Sequence, residues 1–284
     1  MSYGLFVGLT TLDCIYLSDR HLEANQKVVA QDYLTVAGGP ATNAAVAFGY
    51  FGNSPKLLTV LGQHPLCKLI ASDLANCGVE IVDLMPQKLE SPPVSSVIVT
   101  TNTGERAVIS INALKSLAKR SQIPAQILNK IDIILIDGHQ IEVSQAMIEI
   151  AKHHQIPLVL DGGSWKPGLE TILPGIDYAV CSANFFPPRC RSAADVFAYL
   201  QDLGITHIAI TQGEQPLQYF DRGEFGTITI PHIKTVDTLG AGDIFHGAFC
   251  HYILQTDFVS ALAEAAKIAS KSCQFFGTRS WLST

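Results

Sequence analysis

Residues 235–243 read TVDTLGAGD, and an apolar stretch with helical spacing follows directly at 244–254. The end of the loop is formed by three small residues, Gly240, Ala241 and Gly242. Such residues let backbone N–H groups approach an anion, and the helix that begins here adds its positive end. Asp243 in the first turn would be repelled by a bound phosphate unless it faces a second reactant, whose hydroxyl proton it accepts. The segment predicts a phosphate-binding loop beside a general base. The alternative is a plain turn followed by an acidic residue at the start of a helix, which has the same composition.

Around this segment, short apolar runs alternate with longer amphipathic ones. The runs that predict buried strands are 5–8, 57–61, 131–137, 158–161, 178–181 and 208–211. The stretches with helical periodicity are 41–50, 66–76, 142–153, 192–203, 242–254 and 257–276. Ser192 and Asp257 suit helix N-caps, and Gly277 suits a C-terminal stop. The alternation predicts an α/β fold with a mainly parallel sheet covered by helices on both faces.

Two stretches depart from this alternation. Residues 27–36 and 94–111 are rich in Val, Thr and Ile, and the second contains the turn Asn102-Thr103-Gly104. They predict a small β-sheet lid, inserted in a single domain that spans residues 1–284 and folded over the edge where ligands bind in open sheets. The exposed apolar face and edges of such a lid also predict a homodimer formed lid to lid.

Composition narrows the classes of partner. The chain has 284 residues, of which 48% are apolar, and a formal net charge of −6, so it is a globular protein rather than a disordered one. We expect neither nucleic acid nor membrane as partner, because the sequence has no basic stripe and no apolar run of about 18 residues. The seven cysteines form no CxxC pair, and the start lacks signal-peptide features. A cytoplasmic protein that binds small molecules is predicted.

A second glycine pair, Gly38-Gly39, precedes another helical stretch that contains Asn43. Glycines permit close passage of a polyol, and the Asn43 amide can donate and accept hydrogen bonds with neighbouring hydroxyls. Asp13 follows the first strand, where a carboxylate can bind two sugar hydroxyls. The alternatives are an ordinary helix start for the glycines and a turn acid for Asp13.

Three segments together resemble the ribokinase-like carbohydrate kinases, also called the PfkB family: DTLGAGD at 237–243, GGPATNAA at 38–45 and GLTTLD at 8–13. The similarity spans the chain and extends to the segment 276–279. It implies a three-layer α/β fold with a lid and ATP-dependent phosphoryl transfer to a hydroxyl, primary in our prediction, of a small sugar or sugar derivative. The resemblance also implies that Asp243 is the general base and that the anion hole is formed by Gly240, Ala241 and Gly242. The sugar-binding residues are Asp13, Gly38, Gly39 and Asn43.

The same resemblance assigns the remaining ligands. Nucleotide-binding positions are Thr211 and Gly213 at a strand-end turn, with Ala269 and Cys273 beside the adenine. Lys166 is a candidate phosphate contact, or a surface lysine beside a turn. Arg106 on the lid is a candidate contact for an anionic substrate, although an arginine after a hairpin turn is commonly solvated. The implied cofactors are ATP and Mg²⁺, with a K⁺ site at Asp237, for which a turn acid is the alternative.

Two departures from the family pattern keep other functions open. Residues 181–184 read CSAN without the glutamate that organises Mg²⁺ in many members, and the turn at 211–216 lacks its second glycine. The alternatives are a nucleoside kinase, for which Tyr33 would be the stacking residue on the lid, and a non-catalytic protein of the same fold. A dinucleotide oxidoreductase fits the sequence less well than either, because no GxGxxG follows the first strand.

Overall fold

A nine-stranded sheet forms the centre of the computed structural model, which describes residues 1–20, 22–101 and 103–284. In chain order the strands are β1 (Tyr3–Val7), β2 (Thr11–Ser18), β3 (Asp32–Gly38), β4 (Ser54–Thr59), β5 (Glu80–Asp83), β6 (Val94–Thr100), β7 (Arg106–Ile109), β8 (Ile133–Ile136), β9 (Leu158–Gly162), β10 (Tyr178–Ser182), β11 (His207–Gln212), β12 (Gln215–Asp221) and β13 (Glu224–Ile228). The helices are α1 (Pro40–Tyr50), α2 (Cys67–Asn76), α3 (Ile141–His154), α4 (Leu169–Ile172), α5 (Ala193–Asp202), α6 (Ala241–Tyr252) and α7 (Phe258–Ser272).

The strands of this sheet follow the order β13-β12-β11-β10-β9-β8-β1-β4-β5. Every pair from β11 to β5 is parallel, and only β12 and β13 run antiparallel to their neighbours at one edge. The parallel strands all end at the same edge, which brings residues that directly follow β1, β8, β9, β10 and β11 into one cleft. All six predicted strands lie in this sheet, which confirms the predicted fold class.

Helices cover both faces of the sheet, so the fold has three layers. In β8, Ile134 and Ile136 pack with Val143 of α3, whereas Ile133 and Leu135 pack into a second cluster on the opposite face. That second cluster contains buried residues of α1, α6 and α7. Successive side chains of a strand point to opposite faces, so a continuous apolar strand serves both layers.

The lid is a separate four-stranded sheet with the order β3-β2-β6-β7. Three of its strands fall in the predicted stretches, but residues 27–31 do not form a strand, and Asn102 of the predicted turn lies outside the described residues. The sequence did not predict the fourth, β2. Asp13 therefore lies within a lid strand rather than in a loop at the edge of the main sheet.

One face of the lid packs against the signature loop 235–243. The buried lid residues Ile15, Val36, Val97 and Val99 contact Leu239 of this loop and Phe276 after α7. The other face leaves apolar side chains exposed, among them Tyr16, Tyr33 and Ile109. The lid and the loop thus share a small core, and a movement of one is transmitted to the other.

Two predicted N-caps are present, and one predicted helix end is wrong. Ser192 Oγ accepts from Asp195 N at 3.2 Å, and Asp257 Oδ1 accepts from Ser260 N at 2.9 Å. The last helix ends at Ser272 rather than near Gly277. Gly277 itself lies in a turn, with φ 74°. The apolar periodicity continued past the true end because Phe276 packs under the lid.

All seven cysteines are free thiols. Across residues 1–20, 22–101 and 103–284, no helix is long and apolar enough to span a lipid bilayer.

Candidate active site

The signature loop ends in a helix start whose N–H groups point into the cleft. Gly240 caps α6 at φ 71°, a conformation that favours glycine because it has no Cβ. A Cβ at Gly240 would also press on the methyl group of Thr278. Among the described residues, the N–H groups of Gly242 and Asp243 have no acceptor, as is usual in a first helical turn. The loop therefore offers unpaired donors and a helix dipole to an anion.

Asp243 lies beside these donors with a partly exposed side chain. Its Oδ2 accepts a hydrogen bond from Asn43 Nδ2 at 2.8 Å, which links α6 to α1. Burial, followed by the nearby charge of Asp161, raises the pKa of Asp243 from 3.8 to about 7. A carboxyl group that titrates near neutrality can take up and release a proton at physiological pH.

Asp161 and His246 form a buried pair beneath Asp243. Asp161 is 4% exposed, and its Oδ2 lies 3.4 Å from His246 Nδ1. The two ring nitrogens of His246 also lie 2.7 Å from Gly242 O and 3.0 Å from Val180 O. The ring therefore connects the first turn of α6 to β10. Neither residue was predicted as part of the site, although an acid at the end of a buried strand is a usable signal.

The predicted sugar-binding residues lie together on the lid side of Asp243. Asp13 is buried, its Oδ1 accepts from Thr11 Oγ1 at 2.6 Å, and burial raises its pKa. Thr11 is paired with Gly38 across β2 and β3, and a Cβ at Gly38 would overlap the Asp13 carboxylate. Gly39 follows at φ 103° and caps α1, which carries Asn43. The β2, β3 and α1 segments thus place a carboxylate, open backbone and an amide next to one another.

Asp137 holds three backbone segments at the edge of the main sheet, and sequence reasoning did not predict it. Its Oδ2 accepts from Leu9 N at 2.8 Å and Ala41 N at 3.3 Å, and its Oδ1 accepts from His139 N at 2.9 Å. A Cβ at Gly8 would overlap the Asp137 carboxylate, so this glycine is required where β1 and β8 end. His139 lies at the same edge, and burial lowers its pKa, which keeps the ring neutral at pH 7.

Arg279, which follows the last helix, is a further residue that sequence reasoning missed. Its side chain is 12% exposed and pairs with Asp73 of α2 at 3.2 Å. Arg279 also donates to Asn43 Oδ1 at 2.9 Å and to Ala37 O at 2.6 Å. The guanidinium therefore touches both the amide that holds Asp243 and the strand that leads into Gly38. No local pattern predicts a contact between residues so far apart in the chain.

Arg106 connects the lid to the signature loop. Its Nη1 donates to Thr238 Oγ1 at 2.7 Å and to Thr238 O at 3.2 Å, while Thr238 Oγ1 donates to Gly104 O at 3.2 Å. A shallow cleft opens here, lined by Glu105, Arg106, Val108 and Thr238. The Arg106 side chain is exposed at this cleft. Its predicted contact with an anionic substrate stays a prediction.

Asp237 links the signature loop to the segment after α7 through hydrogen bonds. Its Oδ1 accepts from Leu239 N and its Oδ2 from Gly277 N, both at 2.8 Å, and burial raises its pKa. Backbone N–H groups of Val236 and Asp237 donate to Cys273 O. Asp237 therefore stabilises a turn. Each of its carboxylate oxygens keeps a lone pair that can bind a monovalent cation. The K⁺ site stays a prediction.

The remaining nucleotide-binding positions are spread along the cleft. Thr211 Oγ1 donates to Cys181 O at 3.4 Å, and Gly213 turns from β11 to β12 at φ 62° with open space around it. Lys166 Nζ donates to Ser164 O at 3.2 Å. Ala269 is partly buried on α7, one turn before Cys273. Within the described part of the chain, no hydrogen bond joins Lys166, Thr211 or Gly213 to the signature loop, so only a common ligand would connect them.

The described residues contain no group of three or more His, Cys, Asp or Glu side chains arranged to hold a metal ion. Mg²⁺ commonly binds through substrate phosphates, one or two carboxylates and water, so an ion that arrives with a nucleotide needs no cluster of three protein ligands.

Comparisons with known proteins identify the relatives of the chain. A family described as pfkB family carbohydrate kinase matches residues 1–284. The chain is 25% identical over 291 residues to a deoxyribokinase of Salmonella typhi, covering 96% of this chain and 93% of the relative. It is 26% identical over 294 residues to a ribokinase of Bacillus subtilis, covering 98% and 95% of the two chains.

Solved structures share the fold over nearly the whole chain. A putative ribokinase from Agrobacterium tumefaciens superposes with a TM-score of 0.85 at 23% identity, covering 100% of this chain and 99% of that one. An Arabidopsis thaliana ribokinase complexed with ribose and ATP has a TM-score of 0.76 at 22% identity, covering 99% and 97%. A putative ribokinase II from E. coli in complex with ATP and Mg²⁺ has a TM-score of 0.80 at 18% identity, covering 98% and 94%. These likenesses establish a ribokinase-like fold.

Proposed function

We infer the function from one premise, which is that the chain belongs to the pfkB family of carbohydrate kinases. It is a kinase of this type. We propose that it transfers the γ-phosphoryl group of ATP to a hydroxyl, primary in the simplest case, of a small sugar or sugar derivative. Asp243 serves as general base, and the backbone at Gly240, Ala241 and Gly242 forms the anion hole, in which the N–H group of Ala241 exchanges its 3.3 Å hydrogen bond to Thr238 O for the phosphoryl group.

The observation that carries this proposal is the position of Asp243 in the first turn of α6. The open N–H groups of Gly242 and Asp243 and the positive helix end favour a transferring phosphoryl group. The carboxyl group beside them has a pKa of about 7, so it can accept the acceptor's proton near neutral pH. Phosphoryl transfer needs little more than such positioning and charge stabilisation.

The acceptor is proposed to lie between the lid and Asp243. Asp13 accepts hydrogen bonds from two sugar hydroxyls, and Gly38 and Gly39 let the sugar approach the backbone. Asn43 keeps one N–H group beyond the one that it donates to Asp243. Arg106 contributes from the lid when the acceptor is anionic, because a guanidinium binds carboxylate and phosphate groups well.

The phosphate donor is proposed to occupy the opposite part of the cleft. Thr211 and Gly213 lie beside its ribose and phosphates, Lys166 beside a phosphate, and Ala269 and Cys273 beside its adenine. Two of the related structures are complexes with ATP, and one of these also holds Mg²⁺, which supports a MgATP substrate. Magnesium bound to the phosphates neutralises charge that develops during transfer.

In the proposed step, Asp243 removes the proton from the acceptor hydroxyl as its oxygen attacks the γ-phosphorus. The new O–P bond forms while the bond between the γ-phosphorus and the β,γ-bridging oxygen breaks. The electron pair of the broken bond leaves with ADP, and the proton resides on Asp243 until solvent removes it. The lid excludes water, which suppresses ATP hydrolysis.

Two further features belong to the proposal. Asp237 is the proposed K⁺ ligand, next to the anion hole. The lid is proposed to pair with the lid of a second copy, because Tyr33 is 67% exposed and Ile109 is 78% exposed on its outer face.

A coupled assay for ADP release across hexoses, pentoses, ketoses, sugar acids and nucleosides tests the function. It should be run with Mg²⁺, with and without K⁺. Release that depends on one class of sugar supports the proposal, whereas release only with nucleosides would make the acceptor a nucleoside. No acceptor-dependent release from any class, by protein that binds ATP in calorimetry, would contradict it.

A further inference from the structure

The guanidinium of Arg279 is held on two sides before it reaches the active site. Its Nη2 lies 3.2 Å from Asp73 Oδ2 and donates to Ala37 O at 2.6 Å. Asp73 Oδ2 also accepts from Ala37 N at 3.0 Å, so α2, β3 and the segment after α7 meet at one partly buried point. A planar guanidinium that is fixed at one nitrogen presents its other nitrogen in a defined direction.

That other nitrogen determines how the Asn43 amide is oriented. Arg279 Nη1 donates to Asn43 Oδ1 at 2.9 Å and to Thr278 Oγ1 at 3.0 Å. A guanidinium carries only donors, so the amide must turn its carbonyl oxygen toward Arg279. The NH₂ group of Asn43 is thereby directed to Asp243 Oδ2, at 2.8 Å. The reversed amide would place an NH₂ group against the guanidinium and a carbonyl oxygen against the carboxylate.

The fixed amide makes the two oxygens of Asp243 different. Oδ2 is engaged by Asn43, whereas Oδ1 accepts no hydrogen bond from any described residue. The hydrogen bond from Asn43 stabilises the ionised carboxylate, which opposes the effect of burial. Oδ1 is therefore the oxygen that remains for the proton of the acceptor hydroxyl.

We propose that Arg279 is a positioning residue for phosphoryl transfer, and that it acts through Asn43 to orient the Asp243 carboxylate. The inference rests on the proposed function, because it assigns an orientation to the base of that reaction. Asp73 has the supporting part, since it fixes the guanidinium from which the chain of hydrogen bonds begins.

The alternative is that Arg279 merely braces the fold through Asp73 and Ala37. A brace would influence catalysis equally whether or not Asn43 has its side chain. A positioning residue that acts through Asn43 loses its influence once that side chain is removed. A double-mutant cycle separates the two possibilities.

The cycle compares wild type with Arg279→Lys, Asn43→Ala and the double variant. Lysine keeps a positive charge for Asp73 but lacks the planar fork, so it leaves the Asn43 amide unfixed. Arg120→Lys is the matched control, because Arg120 is exposed and pairs with Glu149 on the surface. For each protein, kcat and the KM for ATP are measured with the best acceptor, and unfolding is followed in urea.

We expect Asn43→Ala to lower kcat about 10- to 100-fold, the effect of one hydrogen bond to a charged group. Arg279→Lys should lower kcat about 3- to 10-fold, with the KM for ATP unchanged, while in the Asn43→Ala background it should change kcat less than about 2-fold. The Arg120→Lys control should have wild-type kcat.

An equal loss of kcat from Arg279→Lys in both backgrounds would overturn the inference. If Arg279→Lys does not fold, Arg279→Gln takes its place in the same cycle, since an amide both donates and accepts and therefore does not fix the orientation of the Asn43 amide. Failure of both to fold would make Arg279 a folding residue and would also overturn the inference. Asp243→Asn separates this outcome from failure of the proposed function: if that variant keeps wild-type turnover, the proposed base is wrong regardless of Arg279.

Discussion

Replacement of Asp243 by asparagine is expected to stabilise the fold while it removes catalysis. Burial and then the charge of Asp161 raise the pKa of Asp243 from 3.8 to about 7. A carboxyl group whose pKa is higher in the folded chain contributes stability below its unfolded pKa, and this contribution is lost as the pH rises through the folded pKa. At pH 8 the wild-type fold therefore carries an ionised carboxylate at a cost that the amide avoids.

The magnitude follows from the size of the shift. Each pKa unit corresponds to about 1.4 kcal/mol, so a rise from 3.8 to about 7 sets a ceiling of about 4 kcal/mol. Because the Asp243 side chain is partly exposed, water screens its charge, and we expect Asp243→Asn to gain about 1–3 kcal/mol at pH 8. This is about 2–6 °C in Tm for a chain of this size. The gain should shrink toward pH 5, where the folded wild type already holds the proton.

Urea unfolding of wild type and Asp243→Asn at several pH values between 5 and 8 measures the difference, followed by tryptophan fluorescence. Asp257→Asn is the matched control, because hydrogen bonds from Ser260 lower the pKa of Asp257, and its carboxylate therefore stabilises the fold at high pH. That variant should gain no stability at pH 8. An Asp243→Asn variant less stable than wild type at pH 8, or a difference that does not change with pH, would refute the reasoning.

Four other predictions concern the loop and the lid. In steady-state kinetics, kcat should rise with pH through about 7 as Asp243 loses its proton; a flat profile over pH 5.5–8.5 (about three units around this pKa) would count against a base with this pKa. Gly240→Ala should lower stability by about 1–2 kcal/mol and kcat by more than tenfold, since φ 71° and the Thr278 methyl oppose a Cβ; wild-type values in urea unfolding and turnover assays would show that the loop tolerates it. In hydrogen exchange, residues 94–101 and 103–111 should become better protected with acceptor and a non-hydrolysable ATP analogue than without them, and unchanged exchange would contradict closure of the lid. Light scattering should show a dimer that Ile109→Lys converts to monomer, and a monomeric wild type would contradict the lid-to-lid interface.

The main sheet was predictable because its strands are buried on both faces. Runs such as the one in β8 are apolar at every position, and an amphipathic helix follows most of them. The lid strand β2 was missed, because polar residues Thr11 and Asp13 are buried within it and disturb the alternation of apolar and polar positions. Their burial depends on β3 and the glycine at position 38, which no local pattern reports.

The candidate site was predictable in its short motifs and not in its long-range contacts. The signature loop places Gly240 to Asp243 by sequence alone, because the glycine turn and the helix start are local features. Arg279 lies 236 positions from Asn43, and its role depends on the way α2, α1 and the C-terminal segment converge. Asp161 lies beneath Asp243 only because α6 packs against β9, the third strand from one edge of the parallel part.

The most direct test of the central claim is a single-turnover experiment with ATP labelled at the γ-phosphate, wild type or Asp243→Asn, and the acceptor that the ADP-release screen identifies. ATP affinity is measured in parallel by calorimetry. We predict label transfer to the acceptor by wild type, slowed about 10²- to 10⁴-fold in Asp243→Asn, with ATP affinity retained. Transfer by Asp243→Asn at the wild-type rate would contradict the assignment of Asp243 as the general base of a sugar kinase.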